Sequence, residues 1–398
     1  MTSPDTRVRR AWMWIGVAAL AALYIPSTLP TPLYPLYRQQ FGFSELMVTA
    51  IYASYVIGNL AVLFVLGRLS DQIGRRPTSL AAGAILVLST LCFVFADSAG
   101  WLFAARILNG LAAGLGASAL TAWIAELEPH RDRARAAIVA SSGNLAGLVI
   151  GAVIAGALGQ WVAWPLRTSY LVFLVLLLIV LVLLRATPEG VRQVVRSPEQ
   201  VSLRPRLGVP REIRRAFIAP AAIAFAAFAL GGFYAALTPG VLSQSLHISN
   251  RALTGAVVAL FFGSGALTAA IGPRRSHRLS IALATLASLI GLALLLVAEQ
   301  LASLGTLLAA AIASGAAMGV GYRSSLQIVN ELAPPAQRAE VVSTFLLVCY
   351  SANALPVIGV GLLSRAAGAF TAHLTFACLL ALLGLIACVT GWKCLARE

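Results

Sequence analysis

Twelve apolar runs divide this sequence, beginning near Trp12, Leu46, Thr78, Trp101, Ala134, Trp164, Arg214, Ala252, Leu279, Leu301, Ala339 and Ala372. Each is close to the ~20 residues that carry a helix across the hydrocarbon of a bilayer. The breaks between them are short and polar. With 59% hydrophobic and only 11% charged residues, the chain falls outside the range of soluble domains. The first run follows Arg7, Arg9 and Arg10, as the core of a signal peptide would. It is too long for one and lacks a small-residue cleavage site, so it reads as the first of twelve membrane helices.

A net charge of +15 could belong to a nucleic-acid binder, but the basic residues are spread over the breaks between runs. With the N-terminus placed inside, 24 of them fall at or toward the inner side, including Arg68, Arg75, Arg76, eight arginines from 185 to 215, Lys393 and Arg397. Only Arg38, Arg167, Arg251 and Arg365 fall outside. This asymmetry puts both termini in the cytoplasm and removes the case for a nucleic-acid partner. The five cysteines (Cys92, Cys349, Cys378, Cys388, Cys394) show no disulfide or metal spacing.

Six runs lie on either side of a segment carrying Pro188, Pro198, Pro205 and Pro210 among mixed charges. The expected division is a first bundle over 1–185, a cytoplasmic linker over 186–213 and a second bundle over 214–398. The two sides look like copies. A shift of 205 positions carries Ser44, Thr49, Gly58 and Gly67 onto Ser249, Thr254, Gly263 and Gly272. The same shift carries Gly110, Gly114, Gly116, Glu126 and Pro129 onto Gly315, Gly319, Gly321, Glu331 and Pro334. One offset over several helices marks an internal repeat.

Between the second and third runs stands Gly67-Arg68-Leu69-Ser70-Asp71-Gln72-Ile73-Gly74-Arg75-Arg76-Pro77. Its four charges exclude it from hydrocarbon, and its glycines permit a tight turn. The stretch resembles the signature loop of the major facilitator superfamily at every defined position. The resemblance implies an all-α membrane protein of twelve helices in two six-helix bundles, with the substrate cavity between them near the midplane. It also implies that Asp71 caps the start of helix 11 and that Arg75 pairs with an acid at the inner end of helix 4, a position Glu126 fills. Gly67, Asp71, Gly74, Arg75, Arg76 and Glu126 are therefore the candidate gating group. The equivalent Gly272-Pro273-Arg274-Arg275-Ser276 has no acid, so the latch is one-sided.

Arg106-Ile107-Leu108-Asn109-Gly110 resembles the superfamily's R-x-x-[QN]-G element, tied to proton coupling. An arginine in a bilayer is costly, so Arg106 should face protein or water, or else snorkel to the outer headgroups. Gly143, Gly147, Gly151 and Gly156 resemble the antiporter motif of drug exporters, although Ala152 stands where that motif has proline. Arg323 is a second intramembrane arginine, roughly 12 Å from the inner end of its helix, with a purely structural role as the competing reading. Prolines in the first, seventh and eleventh runs would bend those helices. All fourteen acids sit in loops or at helix ends.

Neutral polar residues remain as candidates for a cavity lining: Tyr24, Tyr34, Asn59, Asn109, Asn144, Tyr234 and Asn353, with His373 a further proton-carrying candidate. Packing and interhelical hydrogen bonds account equally well for any one of them. No paired carboxylates, metal-spaced histidines or activated nucleophile indicate an enzyme. The reading is a proton-coupled exporter of a small neutral or anionic organic compound, with an uptake carrier for an organic acid or sugar as the alternative. The expected partners are the substrate, protons and the bilayer, with no cofactor or metal. The expected setting is a monomer in a bacterial inner membrane.

Overall fold

The computed structural model describes residues 6–65, 72–189, 207–271, 276–335 and 337–394. Among these, twelve helical spans are long and apolar enough to cross a membrane. They are α1 Thr6–Phe41, α2 Glu45–Phe64, α3 Arg75–Val94, α4 Ala99–Leu127, α5 Arg135–Trp161, α6 Pro165–Arg185, α7 Arg214–Ser245, α8 Arg251–Ile271, α9 His277–Gln300, α10 Leu304–Leu332, α11 Arg338–Ala367 and α12 Ala369–Lys393. Each starts within about six residues of an apolar run, because a helix satisfies its own backbone groups where no water can.

The chain gathers into two compact units, Met1–Phe41 with Ser54–Pro205 and Gly42–Ala53 with Arg206–Glu398. The break inside α2 falls at Ser54, where the helix is interrupted by a turn. Residues 190–206, most of the proline-rich segment, lie outside the described residues.

In the first unit, small residues set how closely helices approach. A Cβ on Gly110 of α4 would collide with the Tyr55 carbonyl oxygen of α2, and one on Gly58 would meet the Ile107 carbonyl. In α5, Gly143 faces Val17, Gly147 the Ala21 carbonyl and Gly151 the Ile25 carbonyl, all on α1. Spacing by four puts these three glycines on one helix face, so α1 and α5 meet backbone to backbone. The glycines that resemble an antiporter motif thus have a packing reason of their own.

The second unit repeats the arrangement. Gly315 of α10 lies against the Phe261 carbonyl of α8, and Gly319 against that of Gly265. Glycines at corresponding positions of the repeat therefore close the same kind of seam. The N-terminal part of α2 packs with this unit: Thr49 abuts Gly361 of α11, and Tyr52 donates to Asn353 Oδ1 at 2.7 Å.

The proline positions act unequally. α1 leaves helical geometry at Leu29–Pro30 and resumes through a 3-10 turn at Thr31–Leu33. α7 passes into a π-turn over Val241–Ser245 just after Pro239. α11 stays helical from Arg338 to Ala367 with Pro356 inside it.

Gly147→Ala should destabilise the fold by about 1–3 kcal/mol through overpacking of the α1–α5 seam. Gly359, with nothing near its Cβ position, should accept alanine neutrally or with a gain of up to ~1 kcal/mol. Equilibrium unfolding in mixed micelles of both variants checks the pair.

Candidate functional site

The signature loop is seen from Gln72 onward; Gly67 and Asp71 lie outside the described residues. Gly74 has φ +108°, a conformation that L side chains rarely adopt, and a Cβ there would sit 2.8 Å from Glu189 Oε2. Glu189 fills this space because it caps α3. Its two carboxylate oxygens accept from the Arg75 and Arg76 backbone N–H groups at 2.8 and 2.9 Å. A helix N-terminus leaves such donors unpaired and favours an anion beside them.

Arg75 then turns its side chain the other way, with Nε 3.1 Å from Glu126 Oε1 at the C-terminal end of α4. Arg76 is exposed. Around this pair the C-terminal end of α4 is tied by backbone contacts. Arg9 Nη2 donates to the Glu126 and Glu128 carbonyls at 3.1 and 3.4 Å, and Trp123 Nε1 donates to the Pro188 carbonyl at 3.0 Å. The sequence pointed to Arg75 and Glu126 but missed Glu189, whose place directly after Pro188 at the start of the linker gave no signal of a cap.

Arg106 is fully buried. Its Nη1 donates to the Pro26 carbonyl at 3.1 Å, and the guanidinium lies 5.0 Å from the centre of the Tyr55 ring. The residue four places beyond Pro26 is Pro30, which has no N–H to close a helical bond on that carbonyl. The arginine supplies the donor that the proline removes. Of the two positions open to Arg106, headgroups or protein, the structure shows the protein interior.

Beside it, Tyr34 is buried, and its hydroxyl finds no partner among the described residues. Asn109, one turn below Arg106, is fully buried with neither amide atom paired among those residues. Buried polar groups are normally hydrogen-bonded, so this cluster holds unused binding capacity.

Arg323 in the second unit follows the same logic. Its Nη1 donates to the Ala269 carbonyl in the last turn of α8 at 2.8 Å. The last carbonyls of a helix have no N–H ahead of them, so here the arginine supplies a donor at a helix end. Tyr322, the neighbour of Arg323, packs edge-on to Phe228 of α7, and Phe228 also meets Tyr350 of α11. The remaining sequence candidates divide. Asn353 accepts from Tyr52, a partner the sequence did not indicate. Tyr234 is buried in the core of its unit, stacked on Phe261 at 4.4 Å with its hydroxyl 3.4 Å from Ser314 Oγ. Asn59 is buried against the Gly114 seam. Tyr24 and Asn144 are half-buried, Tyr24 beside Gly147.

Residues 16–355 match the family described as Major Facilitator Superfamily. The chain belongs to that superfamily. It is a multi-pass membrane transporter by family, not an enzyme. Within the superfamily it is 27% identical over 278 residues to the uncharacterized transporter YceJ of Bacillus subtilis, spanning 68% of this chain and 67% of the relative. It is 30% identical to the multi-drug resistance efflux pump PmrA of Streptococcus pneumoniae, over 36% of each chain. It is 28% identical to the arabinose-proton symporter of Bacillus subtilis, over 24% of this chain and 21% of the symporter. The last two matches thus span little more than a third of the pump and about a fifth of the symporter.

Among solved structures, a bacterial homolog of the human lysosomal transporter Spinster, inward-facing and unoccupied, superposes with TM-score 0.71 at 14% identity over 98% of both chains. The nucleoside transporter NupG superposes with TM-score 0.73 at 13% identity, over 97% of this chain and all of that one. At such identities the likeness is one of superfamily fold.

Arg75→Gln and Glu126→Gln should each weaken the inner end of α4, and the double variant should be little worse than either. The coupling energy expected for this partly exposed pair is on the order of 1 kcal/mol or less. A double-mutant cycle on unfolding free energy reads it directly.

Proposed function

We propose that this superfamily member exports a small neutral or anionic organic compound in exchange for protons, by alternating access, across a bacterial inner membrane with both termini cytoplasmic. The observation that carries the charge preference is the presence of two arginines inside the spans. Arg106 is fully buried on the Pro26 carbonyl, and Arg323 is held on that of Ala269. Positive charge fixed there lowers the energy of an anionic cargo and raises that of a cationic one, most strongly where water is scarce. Neutral cargo escapes the penalty, and the aromatic group of Phe228, Tyr322 and Tyr350 offers it apolar contact.

Export is supported by the likeness to an efflux pump and by the glycine run in α5. Import of an organic acid or sugar is the second reading. It is favoured by Ala152, which stands where the antiporter motif has proline, and by the likeness to a sugar-proton symporter. Asp71 and the Arg75–Glu126 pair are the gating group in either direction.

Everted vesicles separate the readings. With an imposed acid interior, fluorescein (an anion at neutral pH) should accumulate and ethidium (a permanent cation) should not. Arg323→Gln should cut fluorescein transport by about tenfold, the worth of one charge-assisted hydrogen bond of ~1.4 kcal/mol. Asp71→Asn should leave expression intact and slow transport of every cargo. Ethidium transport indifferent to Arg323→Gln would refute the charge preference, and accumulation confined to right-side-out vesicles would favour import.

A further inference from the structure

The second unit holds a buried ionisable pair that no signature motif includes. His373, in the first turns of α12, places Nδ1 2.6 Å from Glu299 Oε1 in the last turn of α9. Their side chains are only 5% and 3% exposed. The edge of the imidazole is covered from α7 by Phe233, whose ring centre lies 5.1 Å away at an interplanar angle of 78°. Phe376, one turn along α12, stacks on the same phenylalanine at 5.0 Å.

The other titratable groups on the elements around the pair are few. α7 contributes Tyr234, which points to Ser314. The outer end of α11 contributes Arg365, which is exposed. The outer half of α10 carries no titratable residue before Tyr322.

A mere tie between α9 and α12 would be cheaper with serine or asparagine. Taking a carboxylate and an imidazole out of water costs several kcal/mol per charge, and a buried pair is at best weak evidence for stability. What this pair can do, and an amide cannot, is hold an exchangeable proton. One proton shared across the 2.6 Å gap leaves the pair neutral overall, whichever atom carries it. Losing that proton leaves a buried negative charge beside the aromatic cover, and the unit must then rearrange to hydrate it.

Phe233 lies on α7 directly after Gly231 and Gly232, which pack against Asn353 of α11. The helix that covers the pair is thus the same one that contacts the Tyr52–Asn353 hydrogen bond. A displacement of α7 both uncovers the imidazole and shifts the α7–α11 contact.

We infer that His373 and Glu299 form a proton-carrying site of the second unit, charged and discharged as α7 covers and uncovers it. In each cycle the pair binds one proton from the outer face, where the last turn of α9 is expected to lie. It releases that proton to the water that enters beside the pair when Phe233 withdraws. No other atom is transferred. The inference rests on the proton-coupled reading above and names residues for it.

Two measurements test it, the first without any cargo. Protein labelled with ¹⁵N-histidine in nanodiscs carries four imidazoles, and the resonance missing from His373→Gln identifies the site. The low-field proton resonance of the short His373–Glu299 hydrogen bond should be present in the wild type and absent in Glu299→Gln. A low-field proton that survives in Glu299→Gln, or ring nitrogen resonances that never move between pH 5 and 9, overturns the inference.

The second measurement compares gradient-driven fluorescein flux with fluorescein exchange at equal pH in reconstituted vesicles. His373→Gln and Glu299→Gln should lose the first and keep the second, which a purely structural pair would not do. Wild-type flux that ignores the gradient would defeat the coupling reading alone, leaving the titration to judge the site. Flux driven equally well in wild type and both variants would defeat this inference alone.

Discussion

The hydrogen bond from Arg106 to the Pro26 carbonyl states the constraint under which this protein is built. In hydrocarbon a backbone carbonyl cannot turn to water, so each one freed by a bend needs a donor from elsewhere. Pro30 bends α1 and removes its own N–H; Arg106 of α4 returns a donor at 3.1 Å. Arg323 donates likewise to the carbonyl of Ala269, in the last turn of α8. These arginines are not repeat mates, since the equivalents of Arg106 and Arg323 are Ala311 and Ser118. Each unit meets a freed carbonyl with its own arginine, one at a bend and one in the last turn of a helix.

The arrangement has two consequences for function. Each guanidinium anchors a helix that is bent, or about to end, and both put fixed positive charge inside a membrane-spanning segment. Glycine lets α4 approach α2, and α5 approach α1, backbone to backbone. At Gly110 and Gly58, as at Gly147 and Gly151, a single added carbon would meet a carbonyl of the neighbouring helix. Without Arg106 the bend in α1 would leave the Pro26 carbonyl unsatisfied.

Much of this could be read from the residues. The twelve runs, the repeat and the loop from Gly67 to Pro77 specify the superfamily fold, because span length and internal symmetry are written directly in hydropathy and glycine spacing. The Arg75–Glu126 contact followed from the loop's resemblance. What could not be read is the three-dimensional pairing of isolated polar residues. Glu189 capping α3, Tyr52 on Asn353 and Glu299 on His373 each join positions more than 70 residues apart. No local pattern encodes such contacts. Glu299 stands at a helix end, as the sequence placed every acid, yet its carboxyl is buried rather than solvated. Tyr234, expected among the cavity candidates, packs into the core of its unit because Phe261 and Ser314 lie on the facing helices.

The dependence of α1 on Arg106 is open to a rescue experiment. Arg106→Gln should lower the unfolding free energy by about 1–3 kcal/mol, the range for stranding a buried acceptor. Adding Pro30→Ala restores an N–H four residues beyond Pro26. It should return at least half of that loss while doing little in the wild-type background. Losses that simply add in the double variant would contradict the account.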